Sequence, residues 1–499
     1  MDLISLVTVI AFLVIAAEMS GRNRHAPVML FGLLLLGVSL ILRLLSGDGF
    51  FDTMIPLFRD IGLSLLITAV WLKLRKSRAN PAPFFALGLM SLGLAGLGYA
   101  GAHFLGDHAE TTTTDASFLL ELGPDDQISE VAPLLDRYDA RYERAFPTIN
   151  LNTDADLAQV YLIYGDPASF DALMDALRAD AENVDLAEHN STVSLDPPLT
   201  DKTTTWTGAR LYLENDPMVG SQWGLEAIHG HEAHALLRDL TPTHKARIAI
   251  VDTGVDAKHE DLGTIFRQST GNTDANGHGT HCAGIAGAAT NNGVGVASLN
   301  WEGRFVEVTG YHALGASGMG TIETIAQAII DATNDGADVI SMSLGDVAQK
   351  TPTVLTEAVD FALRNNVIVL ASAGNSNEDA IDHFPSNIPG VMAVAAVDQD
   401  LAKAKFSNTN MSLTRPLAAP GVDILSTMPK QGYKKLSGTS MATPVVSGLV
   451  GVMRAINPNL TADEAYRILH ETGTTVAASD QVGRVINAEA AILAVLATL

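Results

Sequence analysis

From about residue 213 to the C-terminus, short runs of uninterrupted apolar residues alternate with longer stretches of helical spacing. The runs are 248–251, 339–342, 367–371 and 391–397; the helical stretches are 321–335, 353–365 and 440–456. A strand that is apolar at every position must be covered on both faces. Helices lying between such strands supply that cover, so the pattern predicts an α/β domain built on a doubly wound parallel sheet. Sheets of this kind gather ligands at the carboxyl ends of their strands. Polar residues just beyond the runs are therefore the place to look for chemistry.

The chain has 499 residues, too many for one ordinary core. Its 47 % hydrophobic content coexists with a formal charge of −25, which requires apolar and charged residues to be segregated. Residues 1–106 carry 8 Lys+Arg and 5 Asp+Glu, a net of +3, which leaves −28 on residues 107–499. So acidic a portion has no basic stripe for phosphates, so nucleic acid is excluded as a partner. The single Cys282 excludes an internal disulfide framework.

Four apolar stretches fill the first segment, at about 3–17, 26–45, 57–72 and 83–105. A spanning helix needs about 20 apolar residues, and we read residues 1–106 as a four-helix transmembrane region contacting the lipid bilayer. A cleaved signal peptide fits the first stretch less well, because no basic segment precedes it and no small-residue cleavage site follows. Arg22 and Arg24 follow the first stretch, and Lys73, Arg75, Lys76 and Arg78 follow the third. By the positive-inside bias these loops are cytoplasmic. The rest of the chain is then expected outside the cytoplasm, at the cell membrane.

Residues 107–116 read as a polar linker and 197–212 as a Thr-rich connection opened by Pro197 and Pro198. Between them, 117–196 has the pattern of a small α+β unit. Strands are expected at 117–123, 157–165 and 190–195, and helices at 128–146 and 169–179. This is a split β-α-β, ferredoxin-like order. The fifth unit is 213–499.

Four segments of that last unit carry chemistry. The run at 248–251 delivers Asp252 to a strand end, with Gly254 allowing a sharp exit. In 276–284, Gly277 and Gly279 flank His278 at the start of a helix of small residues. His281 follows three residues later, but the metal-binding H-E-x-x-H pattern is absent. In 437–448, Ser440 lies near the start of an apolar helix that contains Pro444. The backbone N–H groups and the positive dipole end there favour a developing oxyanion. Asn375 follows the run at 367–371, where its amide is a candidate second oxyanion donor. Each taken alone also reads as a turn or capping residue.

Together these segments, DTGVD, NGHGTHCAG, SMSLG, SAGN and GTSMATP in that order, resemble the subtilisin-like serine proteases (subtilases, peptidase S8 family). The resemblance spans about 213–475. It implies a subtilisin-like α/β fold and a membrane-anchored serine endopeptidase that acts on protein or peptide substrates. The catalytic residues it implies are Asp252, His278, Ser440 and Asn375. Two substrate-binding edges are implied for an extended peptide, Ser343, Leu344 and Gly345 on one side and Gly318, Met319 and Gly320 on the other. No cofactor is required, and calcium is a candidate structural ion with Asp261 at one ligand position. The unit 117–196 resembles an inhibitory propeptide, with a self-processing cut expected within about 196–216.

Cys282, four residues after His278, is either a small buried hydrophobe or a thiol that senses the site. His229, His231 and His234 are spaced for a metal, but no Cys or carboxylate pattern in the sequence frames them. The competing reading is a catalytically silent subtilase-like domain that binds peptides for a membrane sensor. The intact triad residues argue against it.

Overall fold

The computed structural model describes residues 116–195 and 213–499; the four apolar stretches and the connection at 197–212 lie outside the described residues. The first described region is a four-stranded antiparallel sheet. It contains β1 (Ala116–Leu122), α1 (Ile128–Arg137), β2 (Arg141–Arg144), β3 (Val160–Gly165), α2 (Phe170–Arg178) and β4 (Val184–His189). The sheet order is β2-β3-β1-β4. Phe118, Leu120, Ile163, Leu173 and Leu177 form a core under the two helices.

Two expectations need correction here. The helix expected over 128–146 stops at Arg137, because Asp139 takes a left-handed conformation (φ 52°) and turns the chain. The remainder becomes the exposed strand β2, whose charged sequence gave no strand signal. The fourth strand of the sheet is β4, not 190–195. A separate strand, β5 (Thr192–Ser194), leaves this sheet and pairs elsewhere.

The second region contains α3 (Gly230–Leu237), β6 (Ala246–Asp252), α4 (His278–Gly287), β7 (Val306–His312), β8 (Met319–Thr321) and α5 (Ile322–Asn334). It continues with β9 (Val339–Met342), α6 (Thr353–Arg364), β10 (Ile368–Ser372), β11 (Met392–Val397) and β12 (Pro416–Pro420). Helix α7 (Thr439–Ile456) and strand β13 (Arg484–Val485) complete the frame. Seven strands join in the order β13-β12-β11-β10-β9-β6-β7, and every pairing is parallel. The doubly wound sheet expected from the apolar runs is therefore present. All residues of β9, β10 and β11 are buried. One face packs on α4 and α7, and the other on α5 and α6.

Strand β6 is where the order turns: β7 lies on one side and β9 on the other. This is the switch point of a doubly wound sheet, where loops diverge and leave a crevice. Asp252 is the last residue of β6. Among the described residues, α7 is the one helix long and apolar enough to cross a membrane, and it is a core helix with 94 % of its apolar window buried.

The small sheet docks on α5 and α6. Glu188 accepts hydrogen bonds from the Thr353 and Val354 N–H groups at the start of α6, both at 2.9 Å. Asn190 Oδ1 accepts from Glu323 N at the start of α5 at 3.0 Å. Unpaired N–H groups at the two helix starts are thereby satisfied by side chains of the small unit. Leu119, Phe146, Leu157 and Val193 share one core with Ile322, Ile325, Val354 and Leu355.

Candidate active site

Asp252 is fully buried, and a buried carboxylate is stable only when paired and hydrogen-bonded. Its partner is His278, the first residue of α4, whose Nδ1 stands 2.8 Å and 2.9 Å from the two carboxylate oxygens. Thr253 N donates to Oδ1 at 2.7 Å. Gly279 makes this approach feasible. A Cβ there would stand 2.1 Å from Gly254 O and 3.2 Å from Asp252 Oδ1, so any side chain would push α4 off the strand end. Burial alone would lower the pKa of His278, but the Asp252 carboxylate outweighs it and holds the ring well above its ordinary value.

The start of α4 is fastened by Asp274, which the sequence reading passed over. Its Oδ1 accepts from Asn276 N and Gly277 N (3.0 and 2.7 Å), and its Oδ2 accepts from Thr280 N and Oγ1 (2.9 and 2.7 Å). Thr253 Oγ1 donates to the same carboxylate and accepts from Gly279 N, so the ends of β6 and α4 share one network. The available signal was an acid four residues before His278 at a helix start. His281 takes no part. Its Nε2 faces Lys434 O at 2.9 Å, and the ligand atoms that gather with His278 are those of Asp252 and Cys282, so the pair His278/His281 is not a metal site.

Ser440 is the second residue of α7 and is 5 % exposed. Pro444 lacks the N–H that would bond the Ser440 carbonyl four residues back. That carbonyl instead accepts from Ser343 Oγ at 2.8 Å and from Cys282 Sγ at 3.5 Å. Cys282 Sγ is also 4.0 Å from His278 Nδ1. The thiol thus lies between the base and the backbone of the serine, and burial raises its pKa. The Ser440 hydroxyl donates to Ser343 O at 3.2 Å, and His278 Nε2 is buried without a hydrogen-bond partner. Asp252 and His278 are joined, Ser440 is beside them, and the serine–imidazole hydrogen bond is not made. Such bonds are commonly loose before substrate arrives.

Asn375 follows Gly374, whose φ of +98° turns the chain off β10. Its Oδ1 accepts from Thr439 N (2.9 Å) and Thr439 Oγ1 (3.0 Å), while Thr439 Oγ1 accepts from Gly374 N at 3.2 Å. Thr439, also unforeseen, therefore fixes the amide over the first turn of α7. Its Nδ2 is 3.6 Å from the point a Gly438 Cβ would occupy.

Of the two edges expected to hold a peptide, Ser343, Leu344 and Gly345 leave β9 beside Ser440, with Ser343 and Leu344 buried. The other edge is already filled. Met319–Thr321 pairs antiparallel with Thr192–Ser194 in the register Val193 to Gly320, and Leu195 N donates to Gly318 O at 2.9 Å. Val193 is fully buried, whereas Met319 is half exposed.

A second feature lies apart from the triad. Asp261 and Asp216 are buried carboxylates on one loop system: Asp261 accepts from Val296 N and Asn292 Nδ2, and Asp216 from Asn291 N and Asn292 N. Burial, then Asp216 and Glu260, push Asp261 up to about 6. Two crowded, buried carboxylates fit a hard, oxygen-seeking cation such as calcium.

Residues 243–485 match the sequence profile of the subtilase family. The chain is 38 % identical over 254 residues to subtilisin DY from Bacillus licheniformis, covering 49 % of this chain and 90 % of that one. It is 39 % identical over 251 residues to thermitase from Thermoactinomyces vulgaris, covering 48 % and 85 %. It is 35 % identical over 326 residues to an alkaline elastase from a Bacillus strain, covering 63 % and 78 %. Among solved structures, a protease from Pseudoalteromonas arctica aligns with TM-score 0.51 and 27 % identity over 56 % of this chain and 99 % of that chain.

Proposed function

The chain belongs to the subtilase family of serine endopeptidases, and from that premise we propose that it cleaves peptide bonds through Asp252, His278 and Ser440. The observation that carries this reading is the buried Asp252–His278 pair set beside Ser440 at the switch point of the sheet. Ser440 Oγ attacks the scissile carbonyl as His278 Nε2 takes its proton. A hydroxyl is too weak a nucleophile at neutral pH without such a base. The imidazolium then returns the proton to the leaving amine, and water repeats the sequence on the acyl-enzyme. Asp252 keeps the proton on Nδ1 and stabilises the charged ring. Asn375 and the Ser440 N–H would hold the oxyanion, and rotation of the Ser440 hydroxyl from Ser343 O toward His278 readies the site.

The N-terminal unit acts, in this reading, as a propeptide of ferredoxin-like order that blocks its own enzyme. Residues 192–195 take the place of a substrate strand along Gly318–Gly320, where main-chain pairing supplies affinity. A cut within about 196–216 would free the protease from a four-helix anchor at residues 1–106. Support for the anchor is the run of four apolar stretches with basic alternate loops, which also puts the protease on the extracytoplasmic side. Calcium, when bound, would be held by Asp261 and Asp216 and would brace the loop at 290–296.

A fluorophosphonate probe should label the wild type and leave Ser440→Ala unlabelled; equal labelling of both would refute the assignment. In subtilisin, removing the Asn donor costs about 10²–10³ in turnover, and the same loss is expected of Asn375→Ala. Because His278 must be neutral to accept a proton and its pKa is raised, kcat/KM should fall on acidification with a midpoint above the ordinary 6.5. An acid limb at or below 6.5 contradicts this reading of the pair.

Val193→Asp forces a charge into a buried position and should loosen the occluding strand, raising peptidase activity of the uncut chain several-fold. Unchanged activity means that the strand is not the block. Fractionation tests the anchor: Ser440→Ala should stay full length in the membrane while the wild type sheds a soluble protease. Retention of both, uncut, rules out self-release. Chelation of calcium should lower the thermal midpoint of Ser440→Ala, and an unmoved midpoint removes calcium from the account.

A further inference from the structure

Outside the cleft, a second group of ionisable side chains is buried together. Glu214, His231 and His234 bring their ligand atoms within 4.8 Å of one another. The two histidines lie one turn apart on the same face of α3, and Glu214 comes from the chain that leads into the large unit. Side-chain exposure is 0 % for Glu214 and His234 and 10 % for His231. His229, the third member of the sequence pattern, caps α3 with a left-handed backbone and stands outside the group. Glu214 is the carboxylate that the sequence pattern lacked, and it was hidden by a separation of 17 residues from His231.

The hydrogen-bond chemistry of this group is short of donors. His234 Nε2 is 2.6 Å from Ser298 O. A carbonyl only accepts, so Nε2 carries the ring's hydrogen. In a neutral ring Nδ1 is then a lone pair, and it faces Glu214 Oε1, another acceptor. His231 Nδ1 lies 2.9 Å from the same oxygen. Both imidazoles thus turn Nδ1 to one oxygen of a single carboxylate, that of Glu214. Its Oε2 is buried with no hydrogen-bond partner, a costly state for half of a carboxylate.

A proton on His234 would satisfy Oε1 but leave Oε2 orphaned. A divalent cation satisfies every group at once. It would accept the lone pairs of both Nδ1 atoms and engage the carboxylate through one or both oxygens. The contact from His234 Nε2 to Ser298 O is then the outer hydrogen bond that metal-bound imidazoles make to a backbone carbonyl. Two imidazoles and one carboxylate are a donor set for zinc, with one position left for water on the more open His231 side.

We propose that Glu214, His231 and His234 form a binding site for a divalent transition metal of the zinc class, separate from the triad and from the Asp261 loop. The bound ion clips the chain at residue 214 to α3. It thereby fixes the start of the protease unit, at the C-terminal end of the segment in which the cut is expected, and stabilises the folded state by mass action.

The test uses the detergent-solubilised full chain carrying Ser440→Ala, so that self-digestion and activity play no part in the readout. Excess calcium keeps oxygen sites filled, and a zinc-selective chelator strips the protein beforehand. Titration with Co²⁺ should give the visible bands of a low-coordinate N/O site at one equivalent, and Zn²⁺ should displace it and raise the thermal midpoint. His231→Ala, at the partly exposed position, should keep the same far-ultraviolet circular dichroism. Its affinity should fall by more than the 10–100-fold that loss of an outer-shell partner costs, and its midpoint should no longer respond to Zn²⁺. Glu214→Gln, which keeps the side-chain shape, should do the same. No stoichiometric Co²⁺ or Zn²⁺ binding by the parent, or undiminished binding by folded His231→Ala, overturns the proposal and leaves a buried ion pair.

Discussion

A charged carboxylate at the dry end of a central strand dictates the architecture around it. Asp252 is 0 % exposed, and breaking such a buried pair costs about 3–5 kcal/mol because the remaining charge has no solvent. His278 must therefore reach it, α4 must begin at that point, and nothing larger than glycine fits at residue 279. Asp274 and Thr253 then lock helix start to strand end. The ring's other nitrogen is left buried and unpaired, which is the position a proton-accepting base requires.

The serine side obeys a different constraint. Pro444 removes one helical hydrogen bond and so leaves the Ser440 carbonyl to Ser343, just past β9, and to Cys282 of α4. Ser343 serves both ends of the same residue: its hydroxyl donates to the Ser440 carbonyl and its own carbonyl accepts the Ser440 hydroxyl. A defect in one helix therefore ties three elements together at the nucleophile. With Thr439 holding Asn375, the cleft is assembled from the ends of β6, β9 and β10 and the starts of α4 and α7.

The apolar runs made the parallel sheet legible, since a strand buried on both faces has no polar positions to confuse the pattern. Asp252 and Asn375 stood out as polar residues just past such runs and His278 and Ser440 as residues at helix starts, while their joint catalytic role was legible only through the resemblance to subtilases. What stayed hidden depends on pairing across distance. Strand β2, RYER, is charged at three of its four positions and is defined by its partner β3. Strand β4, VDLAEH, mixes acids with apolar residues and is ordered by pairing with β1. Thr439 stayed hidden because its partners Asn375 and Gly374 lie on another segment, and Asp274 because its link to Thr253 crosses to the end of β6. The strand at 192–194 was expected in its own sheet, yet its partner is residues 319–321.

The contact between the two described regions uses carboxylates in two opposite ways, and that contrast bears on what the small unit is for. Glu188 is stabilised by the N–H groups at the start of α6, where a negative charge is welcome. Glu121 on β1 and Glu357 on α6 instead lie close enough to raise each other's charge cost within the buried contact. Burial first and neighbouring carboxylates second hold both carboxyls above the ordinary carboxylate range. Two buried carboxyls so placed resist ionising together, so this part of the contact favours an acid that water would ionise. A permanent core has no need of such a joint, since apolar residues of similar volume would hold at least as well. If the small unit is the releasable propeptide proposed above, a pair favoured only while it stays buried suits a contact that must later separate.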